Sequence, residues 1–251
     1  MKEQEINHKF ISCFVMFDFM VFNLKFFFRL PALLMLTAFA LTSCMKIEGN
    51  SQPNAAISLV NAYSAGTAVD IYIDRKQRNE APVAYSENLP YTEVKSGYRT
   101  LTVTKSGSTD LLLPEGEAGL SAGNYYTFFL AKDTSRTGDI IASAIISKDS
   151  LYTPAEGRAR LRFVNLTYNA PALDLTIKGD TIPLFKNQAF KAVTLFKSVN
   201  PDRETFKLSE TGKEEPAIEF QVDMQPGKIY TVFTTGFWGN TDFEPKVMVN
   251  K

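Results

Sequence analysis

The chain repeats itself, and the repeat sets the scale of anything it can fold into. Residues 56–73, "AISLVNAYSAGTAVDIYI", align without a gap with residues 160–177, "RLRFVNLTYNAPALDLTI", at an offset of 104 positions. Val60, Asn61, Ala68, Asp70 and Ile73 meet Val164, Asn165, Ala172, Asp174 and Ile177. Farther along, "SAGNYYTFFLAK" at 121–132 meets "QPGKIYTVFTTG" at 225–236 in the same register, with Gly123, Tyr126, Thr127 and Phe129 matching Gly227, Tyr230, Thr231 and Phe233. Two ends held in one register mean a duplicated unit of about 100 residues, the size of an independent domain rather than of a solenoid repeat.

Within each copy the hydrophobic period is two. Val69, Ile71 and Ile73 alternate with Asp70, Tyr72 and Asp74, and Leu173, Leu175 and Ile177 alternate with Asp174, Thr176 and Lys178. Such alternation turns one face of a strand to a core and the other to solvent. The pattern predicts further strands near 82–85, 90–95, 98–104, 124–131 and 139–147, with second-copy strands near 189–196, 204–209, 216–222, 228–235 and 244–250. Glycines such as Gly66, Gly97, Gly107, Gly179, Gly212 and Gly227 separate them, and no stretch carries a helical period. The expected fold is all-β: two tandem antiparallel β-sandwiches of the immunoglobulin or transthyretin kind, at 55–150 and 158–251, joined by a linker at 151–157.

The first 43 residues differ from the rest. Lys25 and Arg29 precede the apolar run Leu30 to Ala40, which leads into Leu41-Thr42-Ser43-Cys44, the layout of an export signal. An apolar helix of that length rises only about 16 Å against a bilayer core of about 30 Å, too short to span. Leu41 to Cys44 resembles the lipobox of bacterial lipoproteins, with Ser43 where Gly or Ala is commoner. The resemblance implies that residues 1–43 are removed as a signal peptide, that the Cys44 sulfur carries a diacylglyceryl group, and that the new amino terminus is acylated. Each buried methylene contributes about 0.8 kcal/mol, so two or three acyl chains hold a protein on a membrane far more firmly than one. Residues 44–54 then form a lipidated tether. Translation from Met20 gives a compact signal with its positive charges ahead of its hydrophobic core. The alternative, a membrane-inserted segment at 10–24, is interrupted by Asp18 and Asn23.

Removal of the signal takes away Cys13 and the only histidine, His8. With Cys44 lipidated, no thiol pair remains for a disulfide, and a Ser-His-Asp triad, a Cys-His dyad, His-ligated zinc and thiolate metal sites are excluded. No cofactor and no metal are expected. Charge is balanced, 27 basic against 27 acidic residues, which leaves no global field to draw in nucleic acid.

Residues 159–179, "ARLRFVNLTYNAPALDLTIKG", resemble the opening of the domain of unknown function 4397 family, with Asn169, Ala170, Pro171, Ala172, Leu173, Asp174, Ile177 and Gly179 on its motif. In the first copy Ala65, Gly66 and Thr67 replace Asn-Ala-Pro, while Ala68, Val69 and Asp70 still fit. Pro226, Gly227, Tyr230 and Thr231 match the family's second characteristic strand. The resemblance implies secreted or lipid-anchored β-rich modules, many with the lipoprotein layout of Bacteroidota, and attaches no activity to them.

Few side chains stand out as site candidates. Asp70 and Asp174 recur at one position, but calcium needs six to eight oxygens and no acidic loop surrounds either, so both are read as structural. Asn61 and Asn165 are expected to bond to backbone at strand ends. The loop "TTGFWGNTDF" at 234–243 holds the only tryptophan. There Phe237 and Trp238 either form an exposed platform for a sugar or a partner, or Trp238 closes the second core. "DTSRTGD" at 133–139 reads as a solvated hairpin loop. Asp149-Ser150-Leu151 and Asp180-Thr181-Ile182 resemble the O-glycosylation acceptor of Bacteroidota, which makes Ser150 and Thr181 candidate modification sites. The formal N-glycosylation sequon Asn165-Leu166-Thr167 carries no meaning in a bacterial lipoprotein.

Three functional classes follow. The leading one is a non-catalytic cell-envelope lipoprotein, attached to the outer membrane by lipid on Cys44, that serves as a binding or structural module for a glycan or an envelope protein assembly. The second is an accessory lipoprotein of an outer-membrane uptake system. The third is a glycoside hydrolase working with carboxylates alone, which requires two of them about 5 to 10 Å apart. The "MKIEGN" that begins after Ser43 and Cys44 leaves the surface and periplasmic faces both open.

Overall fold

Sixteen strands and no helix make up residues 53–64 and 66–251, the residues described by the computed structural model. The expected signal segment with His8, Cys13 and Met20, the expected anchor Cys44, the expected tether through Gln52, and Ala65 lie outside the described residues. In the first copy the strands are β1 (Ala55–Ala62), β2 (Val69–Ile73), β3 (Lys76–Gln77), β4 (Asn88–Val94), β5 (Gly97–Lys105), β6 (Gly116–Leu120), β7 (Tyr125–Thr134) and β8 (Ile140–Asp149). In the second they are β9 (Ala159–Val164), β10 (Leu173–Ile177), β11 (Phe185–Gln188), β12 (Lys197–Val199), β13 (Asp202–Glu210), β14 (Ile218–Met224), β15 (Ile229–Thr235) and β16 (Glu244–Val249).

The strand orders repeat as the sequence does. The first copy pairs a β4-β1-β7-β8 sheet with a β3-β2-β5-β6 sheet, and the second pairs β12-β9-β15-β16 with β11-β10-β13-β14. Each copy is a two-sheet sandwich, and one ladder in each runs parallel, β1 beside β7 and β9 beside β15. That geometry follows from connectivity, because β1 leads across to the opposite sheet and so meets β7 without a hairpin. The first core gathers Ile57, Leu59, Ile71, Val103, Leu120 and Leu130, among others. The second is richer in rings, with Phe163, Phe185, Phe206, Tyr230 and Phe243.

Two predicted strands are absent. At 82–85 only Val83 bridges to Val69; Pro82 beside it has no N–H to give a ladder. At 189–196 the chain turns instead. Asn187 and Lys191 sit at φ 59° and 66°, the Ala192 N–H donates to the Ala189 carbonyl at 2.9 Å, and Val193 alone bridges to Val164. Left-handed Lys191 breaks the extended run there, whereas Asn187 takes the same conformation inside β11, where the β10–β11 register shifts. Four strands present were not anticipated: β3 is two polar residues long, β11 and β12 are four and three residues long, and the glycines of β6 leave no alternation to read.

β1, β9 and β15 along almost their whole length, and β7 from Tyr126 to Ala131, are buried at successive residues rather than at every second one. The reason is a third core. Val60, Ala62, Phe129 and Ala131 from the first sandwich pack against Val164, Leu166, Phe233 and Met248 from the second. The sheets β4-β1-β7-β8 and β12-β9-β15-β16 thus cover each other, and residues 52–251 form one compact unit.

Polar groups are buried in the same contact. Arg162 is 1% exposed, and its Nη1 lies 2.5 Å from Asp149 Oδ1. Its Nε donates to Thr231 Oγ1 at 2.8 Å and its Nη2 to Thr127 Oγ1 at 3.2 Å. The guanidinium also lies 4.5 Å from the Phe196 ring centre. The second Asp149 oxygen accepts from Tyr91 (2.6 Å) and Thr127 (2.5 Å), and Asn250 Nδ2 donates to the Tyr91 oxygen at 2.9 Å. Burial first, and then the Asp149 charge, push the Tyr91 hydroxyl far above its ordinary pKa, so it stays a donor. A charge this deep persists only where its donors are matched, as they are here.

Candidate functional site

The loop between β15 and β16 is built around two glycines. Gly236 has φ +87°, and a Cβ there would lie 2.0 Å from the Asp242 carbonyl oxygen, so only glycine lets the loop close back on itself. Gly239 is also left-handed, at φ +86°. The loop is then clamped from outside: Asn169 Oδ1 accepts the Trp238 N–H at 2.9 Å while Asn169 Nδ2 donates to the Trp238 carbonyl at 3.2 Å. Asn240 and Phe243 N–H groups close successive turns onto the carbonyls of Phe237 and Asn240.

The clamp sends neighbouring rings to different partners. Trp238 packs edge-on against Phe243, with centroids 4.8 Å apart, and lies half-buried on the second core. Phe237 is 37% exposed and meets Tyr168 edge-on at 5.8 Å; Tyr168 in turn lies under the Lys132 ammonium at 5.5 Å. Core closure and exposed platform, posed by the sequence as alternatives, divide between the two residues.

Trp238 does more than close a core. With Ala217, Ile218, Asn240, Thr241 and Phe243 it lines a depression of about 430 Å³, within the range of small-molecule sites. The lining joins the two rings to a neutral amide on Asn240 and a hydroxyl on Thr241. No carboxylate side chain lines it. An arrangement of this kind packs a flat apolar face and satisfies hydroxyls around its edge, with no group placed to move a proton.

The other sequence candidates lie elsewhere. Asp70 accepts from Asn79 Nδ2 (2.7 Å) and the Gly107 N–H (3.1 Å), and Asp174 accepts from the Asn187 N–H (2.6 Å) and Thr211 Oγ1 (2.7 Å); both hold turns. Asn61 donates to the carbonyls of Thr67 and Val83, and Asn165 to that of Gln188. Asn165 is fully buried, which removes its sequon from reach in the folded chain. Ser150 is half-buried in the connector, where its carbonyl accepts from Arg160 at 2.9 Å, and Thr181 is exposed in the turn after β10. The 133–139 loop is a hairpin closed by Ser135, Thr137 and Asp139. The Arg162–Asp149 network was not anticipated. The available signal was the apolar character of both faces of "TFFLA" and "IYTVFTT", which marks strands covered on two sides.

No curated protein matches the chain. Among solved structures, it is similar to a family CBM26 carbohydrate-binding module of Eubacterium rectale Amy13K solved with maltoheptaose. The identity is 9%, coverage 78% of this chain and 96% of that one, and the TM-score 0.27. It is also similar to a streptococcal virulence factor described by its alpha-glucan binding, at 10% identity, 72% and 92% coverage and a TM-score of 0.23. Similarity at these scores carries no argument about arrangement or ligand. Residues 55–176, the first sandwich and the opening of the second, match the family described as Domain of unknown function (DUF4397), which supports the family resemblance read from residues 159–179.

Proposed function

We propose that this chain is a non-catalytic lipoprotein of the cell envelope, held on the outer membrane through Cys44, whose second sandwich binds a neutral glycan at Trp238. The observation that carries the reading is the depression itself, lined by the Trp238 and Phe243 rings, the Asn240 amide and the Thr241 hydroxyl, with no lining carboxylate. A pyranose ring has an apolar face and a hydroxyl edge, and these are the complementary surfaces. The anchor rests on the Leu41 to Cys44 sequence alone.

Because Trp238 is the only tryptophan, its fluorescence reports the site without a label. Titrating the full chain in detergent with a panel of neutral oligosaccharides is expected to give a saturable change in emission for at least one of them. Asn240→Ala is expected to weaken that binding about tenfold, the effect of one hydrogen bond worth about 1.4 kcal/mol. A panel that leaves the emission unchanged, or binding that calorimetry shows to survive both Asn240→Ala and Trp238→Ala, overturns the assignment.

A further inference from the structure

The first sandwich is open where the second is closed. Phe206 and Phe220 are opposite each other on β13 and β14 and stack with centroids 5.7 Å apart. The equivalent pair on β5 and β6 is Leu101 and Gly116. A Cβ added at Gly116 meets nothing within 4 Å. A slot of about 260 Å³ lies there between β6 and β8, lined by Leu101, Val103, Ala118, Phe128 and Ile146.

The slot adjoins an unprotected edge. β8 is outermost in its sheet, so one row of its backbone groups has no strand beside it, an invitation to a further strand. Every other edge is blunted. β4 carries Pro90 and β16 Pro245, β14 carries Glu219 and Asp223, β6 is five residues long with Glu117, and β3, β11 and β12 have four residues or fewer. β8 runs for ten residues without proline, and 140–147 are uncharged. Ile140, Ile141 and Ile146 are 48%, 40% and 42% exposed.

We propose that β8 pairs antiparallel with β8 of a second copy of this chain, about a twofold axis at Ser143. The sequence selects this occupant: Ile140-Ile141-Ala142-Ser143-Ala144-Ile145-Ile146 reads the same in both directions. About that axis Ile140 faces Ile146 of the second copy, Ile141 faces Ile145, Ala142 faces Ala144, and Ser143 faces itself. Ala142 and Ala144 pack on the first core, and Ile140 and Ile146 share their face. Ile140 of the second copy therefore comes over the mouth of the slot, the place that Phe220 fills in the second sandwich. Charges agree with this register. Lys148 faces Gly138 and lies next to Asp139 of the second copy, while Asp139 faces Ser147, so no like charges oppose. The contact is isologous and consumes the edge, which stops assembly at two copies.

The test is a Ser143→Cys variant of the full chain in detergent, under mild oxidation. Residues opposite each other across an antiparallel pair have Cα atoms about 4.5 to 5.5 Å apart, within disulfide reach. A reducible dimer is expected from Ser143→Cys, with none from wild type or from Thr109→Cys in the exposed β5–β6 turn. Light scattering of wild type is expected to give twice the chain mass, and Ile140→Lys the mass of one chain with an unchanged circular dichroism spectrum. A single-chain mass for wild type, no Ser143→Cys dimer, or equal dimer from Thr109→Cys overturns the proposal. So does a Ser143→Cys adduct from cells whose mass is not twice the chain, which assigns the edge to another protein.

Discussion

The two sandwiches share one strand plan and differ in what fills them. The second has a Phe206–Phe220 stack where the first has Leu101 opposite Gly116, and its β15–β16 loop is an aromatic turn where the first has a polar hairpin at 135–139. At the mutual face, β1 offers Ser58 and β9 offers Arg162 at the matching position. Turn-holding residues were kept: Asn61 and Asn165, Asp70 and Asp174, and the paired tyrosines Tyr126 and Tyr230, whose hydroxyls accept the N–H groups of Ser121 and Gln225. Duplication therefore preserved what shapes each sandwich and released the edge, the loop and the back.

The largest effect expected is at the back. Arg162→Ala leaves Asp149 buried without its cation, and a loss of about 3 to 5 kcal/mol follows for breaking a buried pair from one side. Urea unfolding measures it; Arg162→Met with Asp149→Leu is expected to recover most of the loss, since no charge is then stranded. Next is the reciprocal change in the two cores. Phe220→Ala removes a half-buried ring and is expected to cost about 2 kcal/mol, whereas Gly116→Phe has open space and is expected to stabilise by about 1 kcal/mol. Opposite shifts in Tm confirm that the slot is an omitted plug, and a destabilising Gly116→Phe breaks the comparison.

The smallest effect is acidic. Burial pushes Asp133 up, but hydrogen bonds from Lys191 and the Thr134 N–H, with the Lys191 charge, hold its carboxyl below 3.8. A depressed carboxylate stabilises the fold above its unfolded pKa, and that contribution disappears as pH falls through the folded value. The Lys191 Nζ to Asp133 distance is 2.6 Å and both side chains are partly exposed, so the contribution is below about 1 kcal/mol. Asp133→Asn is expected to flatten the stability curve below pH 4 by that amount.

How much was legible depends on how local each signal is. The copies were readable because matched residues such as Val60 and Val164 keep one offset, and β2 and β10 because their apolar residues alternate with polar ones, although Asp70 and Asp174 are themselves buried in the hydrogen bonds that hold turns. The roles of Asn61 and Asp70 followed from short-range side-chain to backbone bonding. β6 was hidden by its glycines, and 189–196 looked like a strand because the left-handed Lys191 and its turn leave no mark in hydrophobicity. Arg162, between Leu161 and Phe163, carries no local mark of burial; the arrival of a second sheet on that face buries it. The Trp238 loop was visible as chemistry, but the clamp from Asn169 lies 69 residues away.

The placement of β1 also has a mechanical meaning. It is the first strand of the described residues, and it is bonded along its length to β4 on one side and β7 on the other. A pull delivered through the residues before Ala55 runs along the strand axis, so it loads those two ladders in shear, many bonds at once, instead of peeling them one by one. Resistance to such a pull is governed by the unfolding rate rather than by equilibrium stability. Under the proposed anchorage at Cys44, a pull on the anchor would enter the β4-β1-β7-β8 sheet through β1 before it reached either loop end.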